Sequence, residues 1–312
     1  MAVYVEMGGR CGNQLFHYAT ARYIQIKNND DKLILNFNSI FAQNKKNRGW
    51  YDVLEDFNTV PYEYYDKPGT VLKNETTLVE KIPVMLKSID IWLYKNKPRE
   101  ERAVKAQRFQ KLLNKFNVYW VREGVTKIYP TGDKSIVTGV CESYEIFDEI
   151  GDILREELQP IHEVEDRNIT LIRRIINSNS ICVSVRRGDF FNTQFEKSFG
   201  VCTVQYYYNA VDTMKKLMKD STFFVFSDDI NWCKENLRFN ADTVYVPHDM
   251  PVYETLRLMY TCKHFIISNS TYSWWGQYLS RNKEKIVISP SRWNNDGYHS
   301  RLIDKSWILI DT

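Results

Sequence analysis

Four short stretches carry residue types that could do chemistry, and each lies beside a run that reads as a strand. Ser184-Val185-Arg186-Arg187-Gly188-Asp189-Phe190 sets two arginines at the end of an apolar run. A guanidinium keeps its charge and its planar fork matches phosphate oxygens, so arginine at a strand's carboxyl end suits a diphosphate. An Arg187–Asp189 ion pair across a turn is the simpler alternative. In Ser227-Asp228-Asp229 a strand end passes into a helix, where a carboxylate can accept hydrogen bonds from a nucleobase or ribose, or simply cap the helix. Ser268-Asn269-Ser270-Thr271-Tyr272-Ser273-Trp274-Trp275-Gly276 offers hydroxyls and backbone N–H groups at a helix start, an anion site or again a cap. Gly8-Gly9-Arg10-Cys11-Gly12-Asn13-Gln14 lets backbone approach a ligand and presents Arg10 and Asn13 at a helix start, with a tight turn as the plain alternative. It lacks the G-x-G-x-x-G dinucleotide fingerprint.

The elements that must position these stretches alternate. In the second half, near-continuous apolar runs at 181–186, 222–227, 242–246, 264–268, 285–289 and 307–310 predict strands buried on both faces. Helical stretches at 205–218, 231–238, 253–261 and 272–281 lie between them, the pattern of βαβ units around a parallel sheet. The first half opens with a strand at 3–6, a helix over 14–27 and a strand at 32–36. Residues 38–80 read as a polar, aromatic, irregular insertion, and a helix is predicted over 100–116 from Phe109, Leu112, Leu113 and Phe116. The charged stretch 151–174 is helical.

A chain of 312 residues exceeds what one core usually supports. The expectation is therefore two α/β domains facing across a cleft, 1–165 with the insertion and 166–312. The net charge of +3 excludes nucleic-acid binding by the chain as a whole. Between Lys87 and Lys127 positive residues clearly outnumber negative ones, which reads as a solvated helix face or as a patch for an anionic membrane surface or charged glycan carrier. The six cysteines form no CxxC pair and no Cys/His metal spacing, so they read as small buried hydrophobes in a reducing compartment. No run approaches a membrane span, and residues 1–6 are too short for a signal peptide. The expected location is the cytoplasm, with peripheral attachment to the inner face of a membrane as the functional reading of the basic segment.

The glycine loop through Leu15-Phe16, the Arg186-Arg187-Gly188-Asp189-Phe190 stretch and the run 262–276 resemble the N-terminal, donor-binding and C-terminal signatures of α-1,2-fucosyltransferases. Residues 139–147 resemble a weaker segment of the same family. The likeness covers nearly the whole chain in the right order. It implies a GT-B-like fold of two Rossmann-type domains, the first on the acceptor side and the second binding GDP-β-L-fucose, and inverting transfer to O2 of a terminal galactose. Other sugar positions, a protein hydroxyl, or a glycan-binding relative without catalysis are the alternatives. By resemblance Arg186 contacts the diphosphate with Arg187 beside it, and Asp228 and Asp229 stand on the guanine side. Ser270, Thr271 and Ser273 look like the phosphate-side hydroxyls. Gly9, Arg10, Gly12 and Asn13 are similar to a loop near the reacting sugar, and Glu142 and Tyr144 fall in the acceptor-side segment.

Two positions depart from the family pattern. Ser184 stands where a histidine is usual, and Glu142 where glutamine is usual. No cofactor is implied beyond the donor substrate, and no histidine or carboxylate cluster compels a metal. Departure of GDP would then rest on the field of Arg186 and the helix start at 270–273. Asp189, Glu142 and Asp249 are the candidates for a general base.

Overall fold

The computed structural model describes residues 2–29, 32–44, 50–122, 124–132, 134–188, 200, 202–296 and 298–312. The chain divides into two compact units, Met1–Glu157 and Leu158–Thr312.

The first unit is built on a five-stranded sheet. Its elements are β1 (Ala2–Glu6), α1 (Cys11–Asn28), β2 (Lys32–Asn36), α2 (Asn38–Asn44), β3 (Tyr62–Tyr64), α3 (Val71–Glu75), α4 (Leu78–Leu93), α5 (Arg99–Asn114), β4 (Val118–Val121), β5 (Lys134–Gly139) and α6 (Gly151–Glu157). All neighbouring strands are parallel, in the order β3-β2-β1-β5-β4. The order reverses between β1 and β5, so a crevice opens at their carboxyl ends, where the glycine loop and residues 140–143 leave the sheet. Val3, Val5, Leu15, Phe16, Leu33, Leu35 and Val137 are fully buried around this centre.

The stretch 38–80 is more regular than its composition predicts. It contains β3, which extends the sheet beside β2, and the Tyr62 and Tyr64 hydroxyls both donate to Asp52 Oδ2, at 2.7 and 2.9 Å. A three-residue strand is too short to show a period of two, which is why the pattern missed it. Strands β4 and β5 lay outside the sequence expectation as well. The helical stretch at 151–174 is two helices, α6 and then α7 (Asp166–Asn177), with Pro160 in the gap. The chain passes to the second unit after Glu157 rather than at the expected 165, because Tyr18 and Arg22 of α1 hold the Glu157 carboxylate.

The second unit continues after α7 with β6 (Asn179–Val185), α8 (Val204–Leu217), β7 (Ser221–Ser227), α9 (Ile230–Asn236), β8 (Asp242–Tyr245), α10 (Val252–Thr261), β9 (His264–Ile266), α11 (Thr271–Tyr278), β10 (Val287–Pro290) and β11 (Ile308–Ile310). Each strand and helix predicted for this half is present within a few residues. The six strands run parallel in the order β11-β10-β9-β6-β7-β8. This is the doubly wound Rossmann order, with its switch point between β6 and β9. All six cysteines are buried and free.

Candidate active site

In the second unit the register decides which residues meet. Val185 of β6 pairs with Ser227 of β7, and Val183 pairs with Ile266 of β9, so all three strands release their chains at one level of the sheet. Three of the four chemically equipped stretches therefore leave the sheet together. Arg186 Nη1 lies 3.1 Å from Asp228 Oδ2, and the Arg187 backbone N–H donates to Asp228 Oδ1 at 3.0 Å. The Arg187 guanidinium carbon sits 4.1 Å from the Trp232 ring centroid, and its Nε is 3.8 Å from Asp229 Oδ2. Stacking on Trp232 fixes the plane of that fork, a contact the sequence did not signal because Trp232 reads as one more apolar residue of a short helix. A Cβ on Gly188 would come 3.1 Å from the Asp228 carboxylate, so the glycine leaves that carboxylate its place.

The two aspartates do different work. Asp229 caps α9, accepting from the Trp232 backbone N–H at 3.2 Å, as the simpler sequence reading allowed. Asp228 instead holds the two arginines. Asp189 lies outside the described residues.

At the third stretch Ser270 is the N-cap of α11, yet its side chain makes no capping hydrogen bond. Ser273 turns inward: its hydroxyl meets that of Ser184 at 2.5 Å and that of Ser268 at 2.9 Å, all three buried. Ser184, where the family pattern has histidine, is thus one corner of a buried hydroxyl cluster under the helix start. Ser268 is a member that sequence reasoning left without a role. Thr271 opens α11, and the positive end of the helix points where an anion would be stabilised. Asp249, the remaining base candidate in this unit, is exposed and paired with Arg167 Nη1 at 2.9 Å.

The first unit assembles its own cluster. Asn13 Nδ2 donates to Glu142 Oε1 at 3.0 Å, joining the first turn of α1 to the loop after β5 across 129 residues of sequence. Gly9 has φ of +72°, and a Cβ there would come 2.5 Å from Asn13 Cβ, so only glycine lets Asn13 lie against the loop. Gln14 braces the same loop, its amide donating to Gly9 O at 3.2 Å and Tyr51 O at 3.0 Å. Gly139 has φ of +105°, and a Cβ there would lie 2.0 Å from Val121 O. Arg10, exposed, is the N-cap of α1, with its guanidinium carbon 6.0 Å from the Trp50 ring centroid. Gly12 falls inside the first turn of α1 and is buried. Tyr144 opens a single 3₁₀ turn, two residues beyond Glu142.

His17, absent from the sequence candidates, ties the two loops together. Its Nδ1 lies 2.8 Å from Asn13 O and its Nε2 2.9 Å from Gly139 O. Burial pushes the imidazole below its ordinary pKa, while the two carbonyls push it up by less. The signal available in sequence was only its position four residues after Asn13. Among the described residues no group of three His, Cys, Asp or Glu could hold a metal ion.

Residues 2–311 match the description of Glycosyl transferase family 11. The chain belongs to that family. The O-antigen biosynthesis glycosyltransferase WbnK of Escherichia coli is 30% identical, covering 99% of this chain and 100% of that protein. The alpha-1,2-colitosyltransferase of Escherichia coli is 33% identical over 50% of this chain and 54% of its own length. Among solved structures, fucosyltransferase NodZ from Bradyrhizobium superposes with a TM-score of 0.53 at 15% identity, covering 88% of this chain and 92% of NodZ. That likeness speaks for the fold, which is the α/β, GT-B class with two Rossmann-type sheets, as the motifs implied.

Proposed function

We propose that this family 11 glycosyltransferase moves L-fucose from GDP-β-L-fucose, with inversion, to O2 of a terminal galactose. The observation that carries the reading is the convergence of Arg186, Arg187, Asp228 and the start of α11 at the switch point of the second sheet. A fixed guanidinium beside a helix N-terminus is preorganised for two negative charges that grow as the glycosidic bond breaks. On this reading the second unit, expected over 166–312, binds the donor, with Arg186 on the diphosphate and Asp228 and Asp229 on the guanine side. The first unit supplies the acceptor side, with Glu142, held by Asn13, and with Arg10 and Tyr144 as further candidates. Glu142 is then the carboxylate available to take the acceptor's proton, a demand that is modest when the transition state is oxocarbenium-like.

Support for the donor comes from the family and from the resemblance of the motifs, and support for the linkage from the α-1,2-linking relative. The same relative favours a second reading for the sugar itself, in which the transferred unit is colitose. One experiment tests both: labelled GDP-fucose and the corresponding colitosyl donor are offered with an array of galactose-terminated glycans, and product linkage is read by NMR. Transfer of fucose to O2 of galactose is the expected result. Transfer to another position, exclusive use of the colitosyl donor, or donor turnover by neither would overturn the proposal at acceptor, donor or activity respectively. Metal independence is part of it, so initial rates should survive EDTA. Loss on chelation with recovery on manganese would make Asp228 and Asp229 metal ligands instead.

A further inference from the structure

Helix α4 is built inside out. Its inner side, packed on α5, buries Pro83 and Lys87, and Lys87 has only 4% of its side chain exposed. Its outer side carries Leu78, Ile82, Met85, Ile89 and Trp92 at spacings of four, three, four and three residues, with exposures between 46 and 82%. Such spacing puts all five on one stripe of the helix. The helix is firmly made, since Thr77 and Glu80 form a reciprocal capping box at its start. A stable helix that turns a lysine inward and an apolar stripe outward has a second environment to satisfy.

Charge says which environment. Residues 87–127 hold eleven Lys and Arg against four Asp and Glu, a net of +7 in a chain whose total is +3. The rest of the molecule is therefore net negative, and the positive excess is concentrated around α4 and α5. Lys95 and Lys97 are exposed just past the helix end, with the Lys95 ammonium 5.7 Å from the exposed Trp92 ring. Asp90, an acid of α4, is already occupied by Lys87 at 3.5 Å and Lys105 at 3.4 Å.

We propose that α4 lies in the interface of an anionic lipid membrane, its apolar stripe in the headgroup and upper acyl layer and the surrounding lysines and arginines over anionic headgroups. A 16-residue helix is about 24 Å long, and it would lie in the plane. None of the described helices is long and apolar enough to cross a membrane, and none need be for this attachment. A second copy of the chain fits the same stripe less well. An isologous pairing would bring two segments of net +7 together, and two heptads are short for a coiled-coil seam. The inference does not depend on the identity of the donor or acceptor.

Flotation of the full chain with vesicles tests it. Binding should rise about tenfold or more when pure phosphatidylcholine is replaced by a mixture with 40 mol% phosphatidylglycerol, and should weaken with added salt. Ile82→Ser/Ile89→Ser/Trp92→Ser should lose at least about tenfold in partitioning while keeping its far-UV circular dichroism and melting temperature, because those residues already face solvent. Lys95→Glu/Lys97→Glu should lose binding to the anionic mixture by a comparable factor without touching the apolar stripe. No vesicle binding by the wild type, or binding by either variant equal to that of the wild type, overturns the proposal. So does a wild-type dimer in light scattering that the serine variant converts to monomer without any vesicle binding, which would make a second copy the occupant.

Discussion

Arg186 offers the sharpest test of how the second unit works. Its Nη1 is 3.1 Å from Asp228 Oδ2 with 22% of the side chain exposed, so the guanidinium is held but reachable. Arg186→Ala removes the charge, and Arg186→Lys keeps a charge but loses the planar fork. Removing a preorganised donor to developing negative charge costs about 2.7–4 kcal/mol in the transition state, or about 10²–10³ in kcat. The cost to folding is far smaller, because a partly exposed ion pair contributes about 0–1 kcal/mol. For a unit of this size that is a fall of at most about 4 °C in Tm.

Catalysis and stability therefore separate. Initial rates with GDP-fucose, calorimetric binding of GDP and thermal melting would be measured on both variants. The expected result is a fall in kcat of at least about a hundredfold in Arg186→Ala, with a melting temperature close to wild type. Arg186→Lys should recover less than about a tenth of the activity, since an ammonium cannot span two phosphate oxygens. A variant within about threefold of wild type and properly folded would refute the assignment, and with it the idea that the strand-end arginine faces the leaving group.

Glu142→Gln restores the residue usual in the family and can still hydrogen-bond Asn13 but cannot take a proton; kcat should fall about tenfold or more with donor KM unchanged, and an unchanged kcat with a shift only in acceptor KM would remove it as the base. Ser184→Ala leaves Ser273 its bond to Ser268 at 2.9 Å, so turnover should fall about tenfold at most, whereas a hundredfold loss would give the hydroxyl a catalytic role. Ser184→His must fit an imidazole where the Ser273 hydroxyl now lies 2.5 Å away, and thermal melting should show about 1–3 kcal/mol of overpacking. His264 accepts the Ile286 N–H through Nδ1 at 3.0 Å, and burial pushes its pKa down from 6.5, as it does for His17. The unfolded chain takes up protons at both as the pH falls through about 6.5 while the folded chain does not, so their stabilisation is full above that pH and lost below it. Glu6 and Asp52, both raised by burial, oppose the trend, so the readout is the difference: His264→Gln should have a flatter profile of melting temperature than wild type between pH 6.5 and 5.

The second sheet was legible because each strand is buried on both faces and reads as one apolar run, and each functional stretch sits where such a run stops. Parallel topology then forces those stops to one edge. The first unit was harder. β3 is three residues long and β4 four, and the segment between β2 and β3 has the composition of a loop. The Asn13–Glu142 bond joins residues that were each candidates on other grounds, but their meeting depends on β5 lying directly beside β1, which no local pattern states. The stacking of Arg187 on Trp232 and the bridging by His17 are tertiary facts of the same kind.

The outward face of α4 shows a different limit. Hydrophobic periodicity reports that a helix has an apolar side; it is silent on whether that side meets the core or the world outside. The usual inference assumes the core, because burial of apolar surface is the main favourable term in folding. In α4 that assumption fails for a physical reason. Helix α4 packs on α5, the residues it buries are Pro83 and Lys87, and the stripe stays exposed. On the membrane proposal the apolar residues gain a second environment, and the concentration of positive charge beside them would select a negatively charged surface with an apolar interior. An anionic bilayer has both properties, so on that proposal the residues exposed in the isolated chain would be covered in one bound to a membrane.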